Sequence, residues 1–178
     1  MPPVRSFPPI ANASARVLIL GSMPGKASLA AGQYYAHPQN LFWRILAVVT
    51  GADAASPYPA RIRALQAHGI ALWDVLESCV REGSLDSAID DATIRANDFV
   101  SFYRSHPCIA HVFYNGAKAE ACYRRYVLPL FESGSGPSNC ARLPSTSPAH
   151  ATMPPARKQT LWQQALARAL ADRRTSKI

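Results

Sequence analysis

The residues of this chain best suited to chemistry are amides, hydroxyls and aromatic rings gathered in a few short segments. Gly25-Lys26 follows an apolar run, the setting of a phosphate-binding loop. That motif needs a glycine five residues before the second Gly and a hydroxyl directly after Lys. Those positions hold Leu20 and Ala27, so the reading fails. Gly21 to Gln39 reads instead as a long loop carrying the pair Tyr34-Tyr35, on which a planar ligand could stack, and leading into His37-Pro38-Gln39-Asn40. Asn40 can cap a helix, a place where Asn is among the leading residues, or present its amide to a ligand. Asn115, before Gly116, is equally a turn residue or an amide able to read a hydrogen-bonding edge. Ser145-Thr146-Ser147-Pro148 offers small hydroxyls and exposed amides that clasp a phosphate or simply turn the chain. His150, just beyond, stands in the same loop, where an exposed His more often has no ligand role.

Cys79, Cys108, Cys122 and Cys140 form no Cys-x-x-Cys pair and have no close His at ligand spacing. They fit reduced, mostly buried thiols, so neither a metal nor another cofactor is expected.

These segments need elements to hold them. Arg16 to Leu20 is a short, continuously apolar run ending in Gly21, as expected of a strand buried on both faces of a parallel sheet. Ile70 to Val75, His111 to Tyr114 and Ala141 to Leu143 are similar runs. Helical periodicity fills Leu41 to Val49, Pro59 to His68 and Gly116 to Leu128, with Gly and Pro stop signals after them. In the last segment, Pro155 to Ala171, Leu161, Trp162, Ala165, Leu166, Ala169 and Leu170 form one stripe. The alternation predicts an α/β fold with a short, mainly parallel sheet between helical layers. In such sheets ligands bind beyond the carboxyl ends of the strands, where Gly21-Ser22-Met23, Trp73-Asp74-Val75, Asn115-Gly116 and Pro144 to Pro148 fall.

At 178 residues the chain is one domain's worth, and 48% hydrophobic residues are enough for a sizeable core. Residues 1–15, rich in Pro, Ala and Ser, are expected to form a loose lead-in, 16–172 the domain, and 173–178 a basic tail. No apolar run approaches the roughly 20 residues of a membrane span, and the start lacks the apolar stretch of a secretory signal. A soluble, cytoplasmic monomer is expected. The net charge is +8 and unevenly placed. Asp74, Glu77, Glu82, Asp86, Asp90, Asp91 and Asp98 share one stretch with only Arg81 and Arg95, leaving 17 basic residues against 4 acids elsewhere. A positive face of that kind attracts polyanions, nucleic acid first among them.

Taken together, GSMPGKASL (Gly21 to Leu29), YYAHPQNLFW (Tyr34 to Trp43), LWDVL (Leu72 to Leu76), FYNGAKA (Phe113 to Ala119) and LPSTSPAHA (Leu143 to Ala151) resemble the uracil-DNA glycosylase superfamily, and more closely its hypoxanthine-DNA glycosylase branch. The resemblance covers about residues 16–172. It implies a three-layer α/β/α sandwich around a four-stranded parallel sheet. It also implies flipping of a deaminated base out of DNA and hydrolysis of its N-glycosidic bond, since such enzymes must take the base out of the stack before they reach the sugar.

The same resemblance suggests roles. Tyr35 or its neighbour Tyr34 would stack on the base, with Met23 and Asn115 lining its pocket. Ser145 would grip a phosphate, Thr146 and Ser147 would support the opened helix, and Lys118 and His150 would add DNA contacts. Two departures stand out. Where the uracil branch has an Asp that activates water, this chain has Met23; where the final motif often begins with a His, it has Leu143. The hypoxanthine branch relies on an Asn further along, which Asn40 matches, so Asn40 would hold the attacking water with a backbone carbonyl of Gly21 or Ser22. Neutral dipoles can serve, because the breaking bond builds positive charge on the sugar and negative charge on the base. A different class, a non-catalytic module binding damaged DNA or a nucleotide, is the alternative that the two departures leave open.

Overall fold

The computed structural model describes residues 2–131 and 136–172. In chain order its regular elements are β1 (Val4–Arg5), β2 (Val17–Gly21), α1 (Lys26–Ala31), α2 (Phe42–Thr50), α3 (Tyr58–Ala67), β3 (Ile70–Asp74), β4 (Leu76–Arg81), β5 (Ile89–Ala96), α4 (Phe99–Ser105), β6 (His111–Asn115), α5 (Ala117–Cys122), β7 (Asn139–Leu143) and α6 (Pro155–Ala171). The four apolar runs make a parallel sheet of order β3-β2-β6-β7. Every residue of β2 and β3 is buried, which is why these strands are continuously apolar rather than alternating.

β2, β3 and β6 each feed two cores, whereas β7 gives only Leu143 to one of them. From β2, Val17 and Ile19 face α2, α3 and α6, packing with Phe42, Ile45, Leu46, Leu65, Trp162 and Leu166. Leu18 and Leu20 face the other way, toward Phe99, Phe102, Ala119, Cys122 and Tyr123 of the α4 and α5 side. The result is the expected α/β/α sandwich. The helical stretch begun by α5 runs on through a π-helical turn, Tyr123–Val127, and a single 3-10 turn, Leu128–Leu130.

Three features differ from expectation. The first 15 residues are not loose: β1 pairs antiparallel with β4, and Ile10 bridges Leu72. The Phe7 carbonyl also accepts the Trp73 indole at 3.1 Å. These ties run through backbone groups, which composition does not reveal. Second, β4 and β5 form an antiparallel hairpin with β1 beside the main sheet, covering much of the acidic stretch. Third, the long loop after β2 contains α1, closed by Gly32 in the left-handed conformation at φ 62°. The basic tail, 173–178, lies outside the described residues.

Candidate active site at the carboxyl ends of the strands

Parallel register sets the site. Gly21 stands opposite Asp74, and Asn115 opposite Leu143, so β2, β3, β6 and β7 end on one edge of the sheet. A groove of about 740 Å³ lined by Tyr103, His106, Phe131 and Pro137 lies elsewhere, at the amino ends of β6 and β7.

The GSMPG loop leaves β2 and is bound at once by its neighbours. The Gly21 carbonyl accepts Val75 N–H at 2.9 Å, and the Ser22 carbonyl accepts Leu76 N–H at 3.2 Å. Both carbonyls that the sequence offered to a water are thus engaged by the turn from β3 into β4, each with its second lone pair left. Ser22 Oγ donates to Asp86 Oδ1 at 2.6 Å, Arg81 donates to the Pro24 carbonyl, and Lys26 N–H donates to Ser84 Oγ at 2.9 Å. The β4–β5 hairpin therefore clamps the loop. Met23 does not line a base pocket here; it is buried among Leu18, Leu20 and Val75.

The tyrosine pair divides. Tyr34 is only 3% exposed, meets Phe7 edge to face at 5.2 Å, and donates its hydroxyl toward the Phe7 and Pro8 carbonyls at 3.2 Å. It is a core residue, and the stacking alternative falls to Tyr35. Tyr35 is partly exposed and stacks on Phe42 with ring centres 4.0 Å apart, while its hydroxyl is buried beside Gly21. Its φ of 52° is left-handed, rare outside glycine and costing about 1–3 kcal/mol. Burial first, then the Asp74 charge, pushes its phenol above the usual tyrosine range. Asn40, half-buried, lies just before α2, and its Oδ1 accepts Phe42 N–H at 3.0 Å. The capping contact is real, and the next residue ties this corner to the last loop, Leu41 N–H donating to the Thr146 carbonyl at 3.1 Å.

That last loop is braced throughout. Asn115 Nδ2 donates to Thr146 Oγ1 at 2.9 Å, and its Oδ1 accepts Thr146 N–H at 2.8 Å. Both ends of its amide hold the loop, where the sequence suggested a reader of the base edge. Thr146 is fully buried, so it is a keystone rather than a DNA contact. From α6, Trp162 Nε1 donates to the Pro144 carbonyl at 2.8 Å, and the buried Lys158 ammonium donates to the His150 carbonyl. Ser145 Oγ accepts Ser147 N–H at 3.2 Å, a local turn contact. Gly116, at φ 98°, lets this corner approach: a Cβ there would stand 3.0 Å from Ser145 Cβ. Ser147 Oγ in turn accepts Ala149 N–H at 3.3 Å, and His150 Nε2 lies 3.4 Å from Thr152 Oγ1. Lys118 pairs with Asp91 at 2.7 Å, so its charge is already partnered.

Sequence reasoning missed the group with the most unusual environment. Asp74, placed there at a strand end and counted in the acidic stretch but given no role, is 3% exposed, and its Oδ2 has no hydrogen-bond partner among the described residues. Its Oδ1 occupies the space that a Cβ on Gly21 would need, and the Tyr35 hydroxyl lies 3.0 Å from the same point. Burial above all, with the charge of Asp86, pushes its carboxyl up to about 8 against the pull of Arg81. Asp86 is exposed as a residue but turns its carboxyl inward to Ser22, and burial raises it too. A signal existed: an acid closing an apolar parallel strand sits where ligands bind.

This arrangement, in which five motif segments converge on one sheet edge, agrees with the comparisons. The chain is 40% identical over 116 residues to a hypoxanthine DNA glycosylase of Methanosarcina barkeri, a match covering 65% of this chain and 72% of that protein. It is 37% identical, with the same coverage, to the hypoxanthine DNA glycosylase of Methanosarcina acetivorans. A solution NMR structure of a candidate uracil DNA glycosylase from M. acetivorans superposes with a TM-score of 0.76 at 30% identity, covering 94% of this chain and 98% of that one. The family description of the uracil DNA glycosylase superfamily matches residues 8–170, nearly the whole described fold. By sequence and by architecture, the chain belongs to the uracil DNA glycosylase superfamily.

Proposed function

We propose that this protein is a monofunctional DNA glycosylase of base excision repair that flips out a deaminated base, hypoxanthine before uracil, and hydrolyses its N-glycosidic bond. The observation that carries the reading is the convergence of Gly21-Ser22, Tyr35, Asn40, Asp74 and the 143–150 loop at the carboxyl edge of the sheet, where Thr146 ties the loop to Asn115 and to the start of α2. Membership of the superfamily and the named relatives support the substrate class.

In this mechanism Tyr35 supports the flipped base, Asn40 presents its amide to the attacking water, and Ser145, Ser147 and His150 face the DNA backbone. The water adds to C1′ as the C1′–N9 bond breaks. One oriented amide contributes about 3–4 kcal/mol when it acts only in the transition state. Met23 and Leu143, which replace familiar polar groups, are both buried in core, so apolar packing rather than a carboxylate or imidazole shapes these corners. The protein acts as a monomer in the cytoplasm on this reading; no described helix is long and apolar enough to cross a membrane.

The test is incubation with duplexes carrying inosine, uracil or xanthine opposite each normal base, followed by alkali. Strand breaks that appear only after alkali identify a monofunctional glycosylase and rank its bases. Retarded mobility without abasic sites identifies a binding module instead.

A further inference from the structure

The Gly21 corner holds two buried polar groups. Asp74 Oδ2 has no hydrogen-bond partner among the described residues, while the Tyr35 hydroxyl lies beside the Asn115 side chain, and both crowd the missing Cβ of Gly21. A buried carboxyl left unpaired is costly, so such an arrangement is expected where a ligand completes it. Arg81, the cation whose charge pulls on Asp74, does not pair with it; it donates to the Pro24 carbonyl. The backbone around Asp74 is fixed, its carbonyl accepting Asn97 Nδ2 at 2.9 Å. Asn115 holds Thr146 with both ends of its amide and lies beside the Tyr35 hydroxyl.

Resting on the glycosylase reading above, we propose that Asp74 is a catalytic residue whose carboxyl donates a proton to a ring nitrogen of the extrahelical purine as the base departs. The electron pair of the C1′–N9 bond moves onto the purine, and the Asp74 proton goes to its N3 or N7, so the base leaves neutral. The oxygen of water bonds to C1′, and the proton that this water sheds returns through solvent to the Asp74 carboxylate. No oxidant, metal or second substrate enters. Tyr35 holds one side of the same corner, with Phe42 stacked behind its ring.

Electrostatics fit a donor rather than a base. The ionisable groups acting on Asp74 or feeling its charge are Asp86, Arg81, Tyr34, Tyr35 and Tyr58. Of these only Arg81 favours the carboxylate, while burial and Asp86 oppose it, so the acid keeps its proton up to about pH 8. A neutral carboxyl can donate at physiological pH, where an ordinary Asp could not.

The experiment is single-turnover release of hypoxanthine from an inosine duplex, from about pH 6 to about pH 10, by the wild type and Asp74→Asn. The wild-type rate should fall about tenfold per pH unit above about 8, and Asp74→Asn should be slower by a hundredfold or more with that limb absent. The hypoxanthine imino proton also titrates in alkali, so a limb that survives unchanged in Asp74→Asn belongs to the substrate and overturns the assignment. Should Asp74→Asn fail to fold, Asp86→Asn supplies the second arm. Removing the Asp86 charge should move the limb to lower pH, and an unmoved limb likewise overturns the proposal. Absence of base release by the wild type at every pH defeats the glycosylase reading and this one with it. Release by the wild type with a normal Asp74→Asn defeats only this one.

Discussion

At the scale of single residues, the site depends on side chains whose local and functional roles can be separated by substitution. Asn40 accepts Phe42 N–H, so replacing it with Ala should cost about 0.5–2 kcal/mol, whereas Ser restores most of a cap of this type. Ser is too short to replace a reaching amide. Asn40→Ser should therefore melt near wild type and bind DNA, yet release base at least about a hundredfold more slowly in single turnover. A near-normal rate would make Asn40 a cap only. Asp74 leaves a second mark, on stability. Its folded carboxyl titrates at about 8, while in the unfolded chain it titrates near 3.9. Between those values the folded state holds a proton that the unfolded state has lost, so stability falls as pH rises through the window and levels off above it. In Asp74→Asn this contribution is gone. The urea midpoint of that variant should exceed the wild type's at pH 8, and the gap should close as the pH approaches 4; a gap independent of pH would mean that Asp74 is not protonated in the fold.

At the scale of elements, the 143–150 loop is held from three sides, by Asn115 of β6, by the start of α2 and by α6. Thr146→Val preserves shape and the backbone contact to Asn115 Oδ1 but removes the acceptor for Asn115 Nδ2. An unsatisfied buried donor should cost about 1–3 kcal/mol, read as a lower urea midpoint, together with weaker excision from duplex DNA. Loss of stability with intact excision would make the clamp purely structural. The elements themselves differ in how far the sequence reveals them. β2, β3 and β6 were legible because burial on both faces leaves continuous apolar runs, β7 only through the short run that ends in the buried Leu143, and α6 because its stripe keeps the helical period. The β4–β5 hairpin was not. β4 carries Glu77 between buried residues, ends in the buried Arg81 and has register irregularities, and β5 is exposed at half of its positions, so neither shows a clean alternation. That hairpin brings Asp86, Arg81 and Ser84 onto the GSMPG loop, and with it half of the buried electrostatics was hidden. Asn115 shows the other kind of limit. Its type and its place at a strand end were visible, but its partner 31 residues away decides between reading a base and bracing a loop.

At the scale of the whole molecule, the question is how a small protein with a net charge of +8 meets a duplex. The acids are concentrated in and around the β4–β5 hairpin, and part of that charge is turned inward, through Asp74 and the Asp86 carboxyl, rather than displayed. Asp91 at the surface draws in Lys118 and Arg125. Lys26 and Arg44, which flank the site in sequence, remain exposed, as do His37 and Gln39 between them. DNA binding should therefore be driven by phosphate neutralisation, with sequence-independent affinity that falls as counterions are added. If about 3–5 phosphates are neutralised, log affinity for an undamaged duplex should fall against log salt with a slope of roughly −3 to −4. Removing one exposed cation that touches phosphate, as in Arg44→Ala, should lower affinity across all sequences and flatten the slope by about 1, while Lys118→Ala, whose ammonium is already paired, should change it little. Fluorescence anisotropy over a salt series measures all three proteins. A slope near zero for the wild type would mean that the basic residues outside the hairpin do not form the DNA-binding face, and a larger effect for Lys118→Ala than for Arg44→Ala would shift that face from the mouth of the 21–40 segment to the α5 side of the sheet.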